Sequence, residues 1–358
     1  MSSRFQDREE LLRALSHMGA AGQAETEAED SFPKYYLPIQ EHARAFDPDV
    51  VLIVGDRGSG KSELFRAVFS SGLLPAIARH SPSVAKLALL KPGTTEWRKG
   101  FPIGADFPDP SGQRKFFAQD VDFERQEQFW FAYLARTLNE DIQKSDATAL
   151  SVLFKPLGGD VEACLQAFTS CEPKPLLALD ALDKRLVEED RWIFVGYDEL
   201  DTLGGYDWQV TNSMIRGLIS FWASYSRRWQ RLRAKLFLRD DFYRRSTEIV
   251  GADIAKLAAN RAELSWSDRN LYAMLVKRIA NSHERLFEIC KKAKIKFTLD
   301  KDLGQVPSLT AAEDARPLVN AICQEYMGAN RRKGITFRWM LDMFAMAAKK
   351  PTLGPSFN

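Results

Sequence analysis

Residues 50–62 read Val50-Val-Leu-Ile-Val-Gly55-Asp-Arg-Gly-Ser-Gly60-Lys61-Ser62. Five apolar residues run without alternation, as central parallel strands buried on both faces do. Glycines follow at 55, 58 and 60, and a helical pattern continues from Lys61 to Ser70. The stretch matches G-x-x-x-x-G-K-[ST] with a strand before it and a helix after it, the context that gives the motif its meaning. Its glycines let successive backbone N–H groups turn inward around phosphate oxygens. Gly55, Asp56, Arg57, Gly58, Ser59, Gly60, Lys61 and Ser62 are the expected polyphosphate-binding set. In it Lys61 reaches the β/γ-phosphates and Ser62 supplies a hydroxyl ligand for Mg²⁺.

A second apolar run, Trp192–Tyr197, ends on Asp198-Glu199-Leu-Asp201. A parallel strand delivers such a carboxylate to the sheet edge where the phosphate loop also lies. Asp198 is the expected metal-side acid, acting through the water shell of Mg²⁺. Glu199 is the expected base that polarises the attacking water, with Asp201 the second candidate. The long interval between Lys61 and Asp198 implies inserted structure, set at about 72–190. Within it Leu87–Leu90 reads as a strand, 92–112 as a loop, and Phe123–Asp141 and Val161–Phe168 as helices. Thr211–Trp229 has helical spacing as well.

A third buried run, Lys235–Leu238, stops at Arg239-Asp240-Asp241. A polar side chain at this edge, Asp240 or Arg239, can contact a γ-phosphate or the lytic water. Lys and Arg crowd positions 227–245, at 227, 228, 231, 233, 235, 239, 244 and 245. A solvated helix end is the plain reading of that run. Arg244 and Arg245, and more weakly Arg261, are candidates to complete a neighbouring copy's site. Trp229 and Tyr243 interleave the charges, which also admits nucleic-acid contact. Pairing with the acidic loop 25–30 is the fourth reading. Beyond Ser267 only helical patterns are read, over 268–293, 314–327 and 335–349. Gly328-Ala-Asn-Arg331 opens the last of them and makes Arg331 a candidate for the γ-phosphate.

Composition bounds these readings. The 358 residues carry 50 Lys plus Arg against 48 Asp plus Glu, so no global charge favours a polyanion. At 45% hydrophobic and 27% charged residues, the chain is globular rather than disordered or collagenous. Its cysteines, at 164, 171, 290 and 323, form no CxxC pair, which argues for reduced, mostly buried thiols rather than a zinc site. The N-terminus is charged at once and has no apolar core of a signal peptide. No apolar run approaches the length of a membrane span. The expectation is a cytoplasmic protein.

Phosphate loop, Asp-Glu at a strand end, polar strand edge and lid with Gly-x-x-Arg, in this order, resemble the AAA+ branch of P-loop ATPases. Tyr197-Asp-Glu-Leu-Asp-Thr-Leu203 is similar to the initiator and signal-transduction (STAND-like) ATPases. Lys235–Tyr243, with Leu264-Ser-Trp266 ahead of the lid, resembles bacterial P-loop ATPases, some encoded beside phage-defence genes. The resemblance implies an α/β fold of the P-loop NTPase (ASCE, AAA+-like) type. This is a three-layer α/β sandwich with a mainly parallel sheet, one strand lying between those of the phosphate loop and of Asp198, followed by an all-helical lid. The implied division is an N-terminal helix and strap (1–44), an ATPase domain (45–265) and a lid (266–358). Also implied are ATP and Mg²⁺ as ligands, ATP hydrolysis, and roles for Glu199, Lys61, Asp198, Asp240 and Arg331. A homo-oligomer sharing its ATP sites through Arg244 or Arg245, and a partner effector protein, complete the picture. No pore loop or winged helix is identifiable. The alternative is an ATP-dependent nucleic-acid-binding protein of the initiator or mobile-element type. A phosphoryl transferase is disfavoured by the Asp-Glu pair and by a lid that follows the sheet domain.

Overall fold

A computed structural model describes residues 2–16, 18, 31–69, 72–81, 94–101, 107–119, 121–146, 161–171, 174–205, 207–247, 252–328 and 334–348. The chain divides into two compact units. One combines His42–Gly55 with Ser83–Glu263, the other Met1–Glu41 with Asp56–Pro82 and Leu264–Asn358.

The first unit is built on a five-stranded sheet, every pair of which is parallel. Its strands are β1 (Leu52–Gly55), β2 (Thr95–Lys99), β3 (Trp192–Tyr197), β4 (Leu232–Arg239) and β5 (Ala262–Glu263), in the order β2-β3-β4-β1-β5. The apolar run that signalled β1 is fully buried, with Val50 to Val54 at most 2% exposed. The strand over Leu87–Leu90 lies outside the described residues. A strand forms instead at Thr95–Lys99, where a loop is expected. Its sequence Thr-Glu-Trp-Arg-Lys is polar because it is an edge strand. Glu96 is ion-paired with Arg98 and Arg191, and Trp97 stacks on Phe194.

Apart from β2, the described elements of the long interval before β3 are helices. The interval contains α5 (Pro110–Phe117), α6 (Phe123–Thr137), α7 (Asn139–Asp146), α8 (Val161–Cys171) and α9 (Lys174–Glu188). After β3 come α10 (Trp208–Tyr225), and after β4 α11 (Asp240–Thr247) and α12 (Ala252–Ala259). Helix α10 begins three residues before its expected start because Asp207 caps it, accepting the N–H groups of Gln209 and Val210 at 2.9 and 3.2 Å. Its apolar face meets α6 through a run of aromatic contacts. Phe131 makes edge contacts with Phe221 and Tyr225, and Trp130 Nε1–H donates to Met214 O at 3.2 Å.

Helix α9 anchors the turn into β4 with two carboxylates. Asp183, 6% exposed, accepts the backbone N–H groups of Gln230, Arg231 and Leu232 at 2.9, 2.7 and 2.9 Å. Asp180 takes a two-pronged bond from Arg228 and one from Trp229 Nε1–H.

The second unit contains α1 (Ser2–Ser16), α2 (Phe32–Tyr35), α3 (Lys61–Phe69), α4 (Leu74–His80), α13 (Asp268–Ser282), α14 (Glu284–Lys292), α15 (Arg316–Cys323) and α16 (Thr336–Ala348). It is not all-helical after Ser267. An antiparallel hairpin, β6 (Lys296–Asp300) and β7 (Gly304–Ser308), stands where no strand is expected. The hairpin is held at its turn from two sides. Lys277 Nζ and Asn281 of α13 bond the carbonyls of Leu303 and Gln305 at 2.5 and 2.8 Å. Asp300 receives both prongs of Arg79 at 2.8 Å and His80 Nε2 at 3.0 Å, from α4. Tyr272 stacks on Phe337 at 4.2 Å and closes this unit's core with Val276, Leu286 and Leu318.

Candidate functional site

The phosphate-loop sequence folds as the loop its glycines allow. Gly58 and Gly60 have φ of +81° and +88°, the left-handed region that a side chain would strain. Asp56 O accepts Ser59 N–H at 3.1 Å, and Gly60 O accepts Leu64 N–H at 2.9 Å as α3 begins. Lys61 Nζ reaches back over the loop to Asp56 O at 2.8 Å. Asp56, Arg57 and Gly58 are exposed, and Ser62 sits half-buried in the first turn of α3. Unpaired N–H groups at a helix start favour an anion on both local and dipole grounds.

Strand register gathers the other candidates at one sheet edge. Gly55 of β1 is level with Arg239 of β4, and Tyr197 of β3 is level with Leu236. β4 therefore runs three residues, about 10 Å, beyond the end of β3. Asp198, half-buried, and Glu199, exposed, occupy that step. Glu199 has φ +56° and ψ +25°, a left-handed conformation that costs a non-glycine residue energy. The Thr202 N–H and hydroxyl hold it there, donating to Glu199 O at 2.9 and 2.8 Å.

Asp201 bonds Arg239 at 3.1 Å, and Asp241 takes the same guanidinium at 2.9 Å. Partial burial works against the Arg239 charge, but these two carboxylates outweigh it and raise its pKa. Asp201 is thus engaged with an arginine while Glu199 faces solvent, which separates the two candidate bases. Asp240 is ion-paired with Arg244 at 2.7 Å, one turn along α11. Arg245 lies over the Trp208 ring at 5.5 Å. Both candidate trans arginines thus have partners in their own chain. Arg261 bonds Glu263 and lies over Tyr243. Arg331 lies outside the described residues, as does the acidic loop.

The basic run 227–245 is largely paired internally. Arg228 is on Asp180, Arg231 is on Asp190 and over the Trp192 ring, and Arg233 is on Asp49. Lys235 is buried and donates to the carbonyls of Asp47 and Val50. Burial pushes its pKa down to about 7.

Gly55, Asp198, Glu199 and Asp240 belong to the sheet unit, and residues 56–62 to the other unit, the chain passing directly from Gly55 to Asp56. Among the described residues no group of three or more His, Cys, Asp or Glu could hold a metal by itself. Mg²⁺ in a phosphate site draws most of its oxygen ligands from phosphate and water. The Ser62 hydroxyl and Asp198 carboxylate are hard oxygen donors of the type it needs. Trp266, for which the sequence pattern suggests no site role, donates its Nε1–H to Ser59 O at 2.9 Å. No local pattern signals that contact, because its partners are far apart in the chain. No described helix is long and apolar enough to cross a membrane. Family models, curated proteins and solved structures were compared with the chain, and none matches.

Proposed function

We propose that the chain is a P-loop ATPase of the ASCE, AAA+-like type. It binds MgATP through Gly55–Ser62, hydrolyses it with Glu199 as base, and passes the nucleotide state to a partner protein as an oligomeric switch or motor subunit. The observation that carries this reading is the strand, left-handed glycine loop and helix at 52–69, on a parallel sheet whose β4 lies between β1 and β3. Asp198 and the strained Glu199 at the end of β3 support it further, because strain held by its surroundings clusters at functional sites.

The chemistry follows from the residues. Backbone N–H groups of the loop and the Lys61 ammonium neutralise the β/γ-phosphates. Ser62 and Asp198 hold Mg²⁺, which when bound adds charge neutralisation. Glu199 orients the attacking water and takes its proton as the water oxygen bonds to the γ-phosphorus and the bond from that phosphorus to the β–γ bridging oxygen breaks, its electron pair leaving with ADP. Asp240 acts as the polar contact on the intervening strand, and Arg331 as the lid arginine. For Arg244 or Arg245 to complete a neighbour's site, each must leave its present partner, Asp240 or Trp208. A role in anti-phage defence follows from the resemblance alone.

Equilibrium binding of MgATP to wild type and Lys61→Ala tests the site. The wild type binds and the variant loses binding by at least an order of magnitude. Equal binding by both removes the loop from the account. Light scattering with and without MgATP tests assembly, for which growth in mass with nucleotide is expected.

A further inference from the structure

We propose that Trp266 is a positioning residue for polyphosphate binding, setting the direction of the Gly60 N–H; this rests on the nucleotide-binding reading above. Three observations meet at this side chain. Its Nε1–H donates to the Ser59 carbonyl at 2.9 Å. Its ring lies over Gly60, where an added Cβ would stand 3.4 Å from Cζ2 and 3.5 Å from Nε1. Gly60 itself has φ +88°.

The geometry of the peptide bond supplies the consequence. In a planar trans peptide, the carbonyl of one residue and the N–H of the next point in opposite directions. Holding the Ser59 carbonyl on the indole therefore aims the Gly60 N–H away from it. A loop that binds an anion needs successive N–H groups aimed at one point before the anion arrives. Without the indole bond, a peptide between a serine and a left-handed glycine is free to rotate, because glycine has no Cβ to resist it. The lost orientation is then repaid from binding energy.

The tether also has a second end. Ser267 caps α13, its Oγ accepting the Asn270 N–H at 3.3 Å. Trp266 thus joins the phosphate loop to the start of α13. By linkage, an occupied loop holds this segment as firmly as the segment orders the loop.

The test labels all eight tryptophans with 5-fluorotryptophan and follows the ¹⁹F spectrum, with Trp266→Phe assigning the resonance. The expected result is a shift of that resonance on adding MgATP or ADP, with no shift for AMP, which lacks a β-phosphate. Trp266→Phe keeps a ring and loses the donor. It should weaken MgATP and ADP about 5-fold, leave AMP unchanged and leave the melting temperature without nucleotide unchanged. Wild type that binds MgATP while the resonance stays still and Trp266→Phe binds equally well overturns the inference and leaves the nucleotide reading intact. A Trp266→Phe protein that melts earlier and loses every ligand alike makes Trp266 merely structural and also overturns it. Wild type that binds no nucleotide removes both.

Discussion

Glu199 holds a conformation that its own chemistry opposes. A glutamate at φ +56° is uphill of the helical or extended regions by about 1 kcal/mol or more. Two bonds from Thr202 overcome that preference. Asparagine tolerates this region better than glutamate. Glu199→Asn should therefore raise stability by about 0.5–1 kcal/mol in urea denaturation while abolishing turnover. Lower stability in that variant would show that the conformation carries no strain. At the same scale Asp201 is the weaker candidate for the proposed base, because its carboxylate is committed to Arg239. Neither property was legible in Asp198-Glu199-Leu-Asp201. The sequence marks the carboxylates, whereas a backbone angle and a partner thirty-eight positions away along the chain come from folding. Trp266 shows the same limit, its bond to Ser59 spanning 207 positions.

At the scale of elements, the turn into β4 depends on Asp183, which answers three backbone N–H groups at once. Asp183→Ala strands them in a partly buried turn and should cost about 3 kcal/mol by urea denaturation. A loss under 1 kcal/mol would mean that water replaces the carboxylate.

Two buried lysines make a pH prediction. Burial pushes Lys235 and Lys277 down to about 7, each donating to main-chain carbonyls. The unfolded chain, with lysines titrating near 10.4, binds more protons than the folded one above pH 7. Stability should therefore rise from pH 7 to 9, by on the order of 2 kcal/mol per lysine. Lys235→Met and Lys277→Met should each flatten the rise, and a flat wild-type profile would contradict it. The opposite limb belongs to Asp300. Arg79 first, then backbone N–H groups and His80, hold its carboxyl far below the usual range against a smaller effect of burial. Its contribution is present above about pH 4 and is lost as pH falls further.

The elements also show where periodicity informs and where it does not. β1 and β3 were legible because strands buried on both faces must be continuously apolar. β2 was not, because an edge strand tolerates Glu96 and Arg98 once they find partners and leaves Lys99 exposed to solvent. The hairpin 296–308 falls between the helical patterns expected over 268–293 and 314–327, in a stretch expected to hold no strand, although Lys296-Phe-Thr-Leu alternates and Gly304 follows as a turn residue at φ +66°. Its short strands are stabilised by distant side chains, Arg79 and Lys277 among them, that no local window contains.

For the whole molecule, the fold brings Gly55, Asp198, Glu199 and Asp240 to the carboxyl edge of one parallel sheet, the edge at which such sheets bind ligands. The internal pairing of Arg228, Arg231, Arg233 and Lys235 makes much of the basic run part of the scaffold, which weakens the nucleic-acid alternative. The central claim, that this edge hydrolyses ATP with Glu199 as base, is tested most directly by phosphate release at saturating MgATP from wild type and Glu199→Gln. The account predicts release by the wild type and a loss of about 10²–10³-fold in the variant, which still binds nucleotide. Equal release by the two proteins would contradict it.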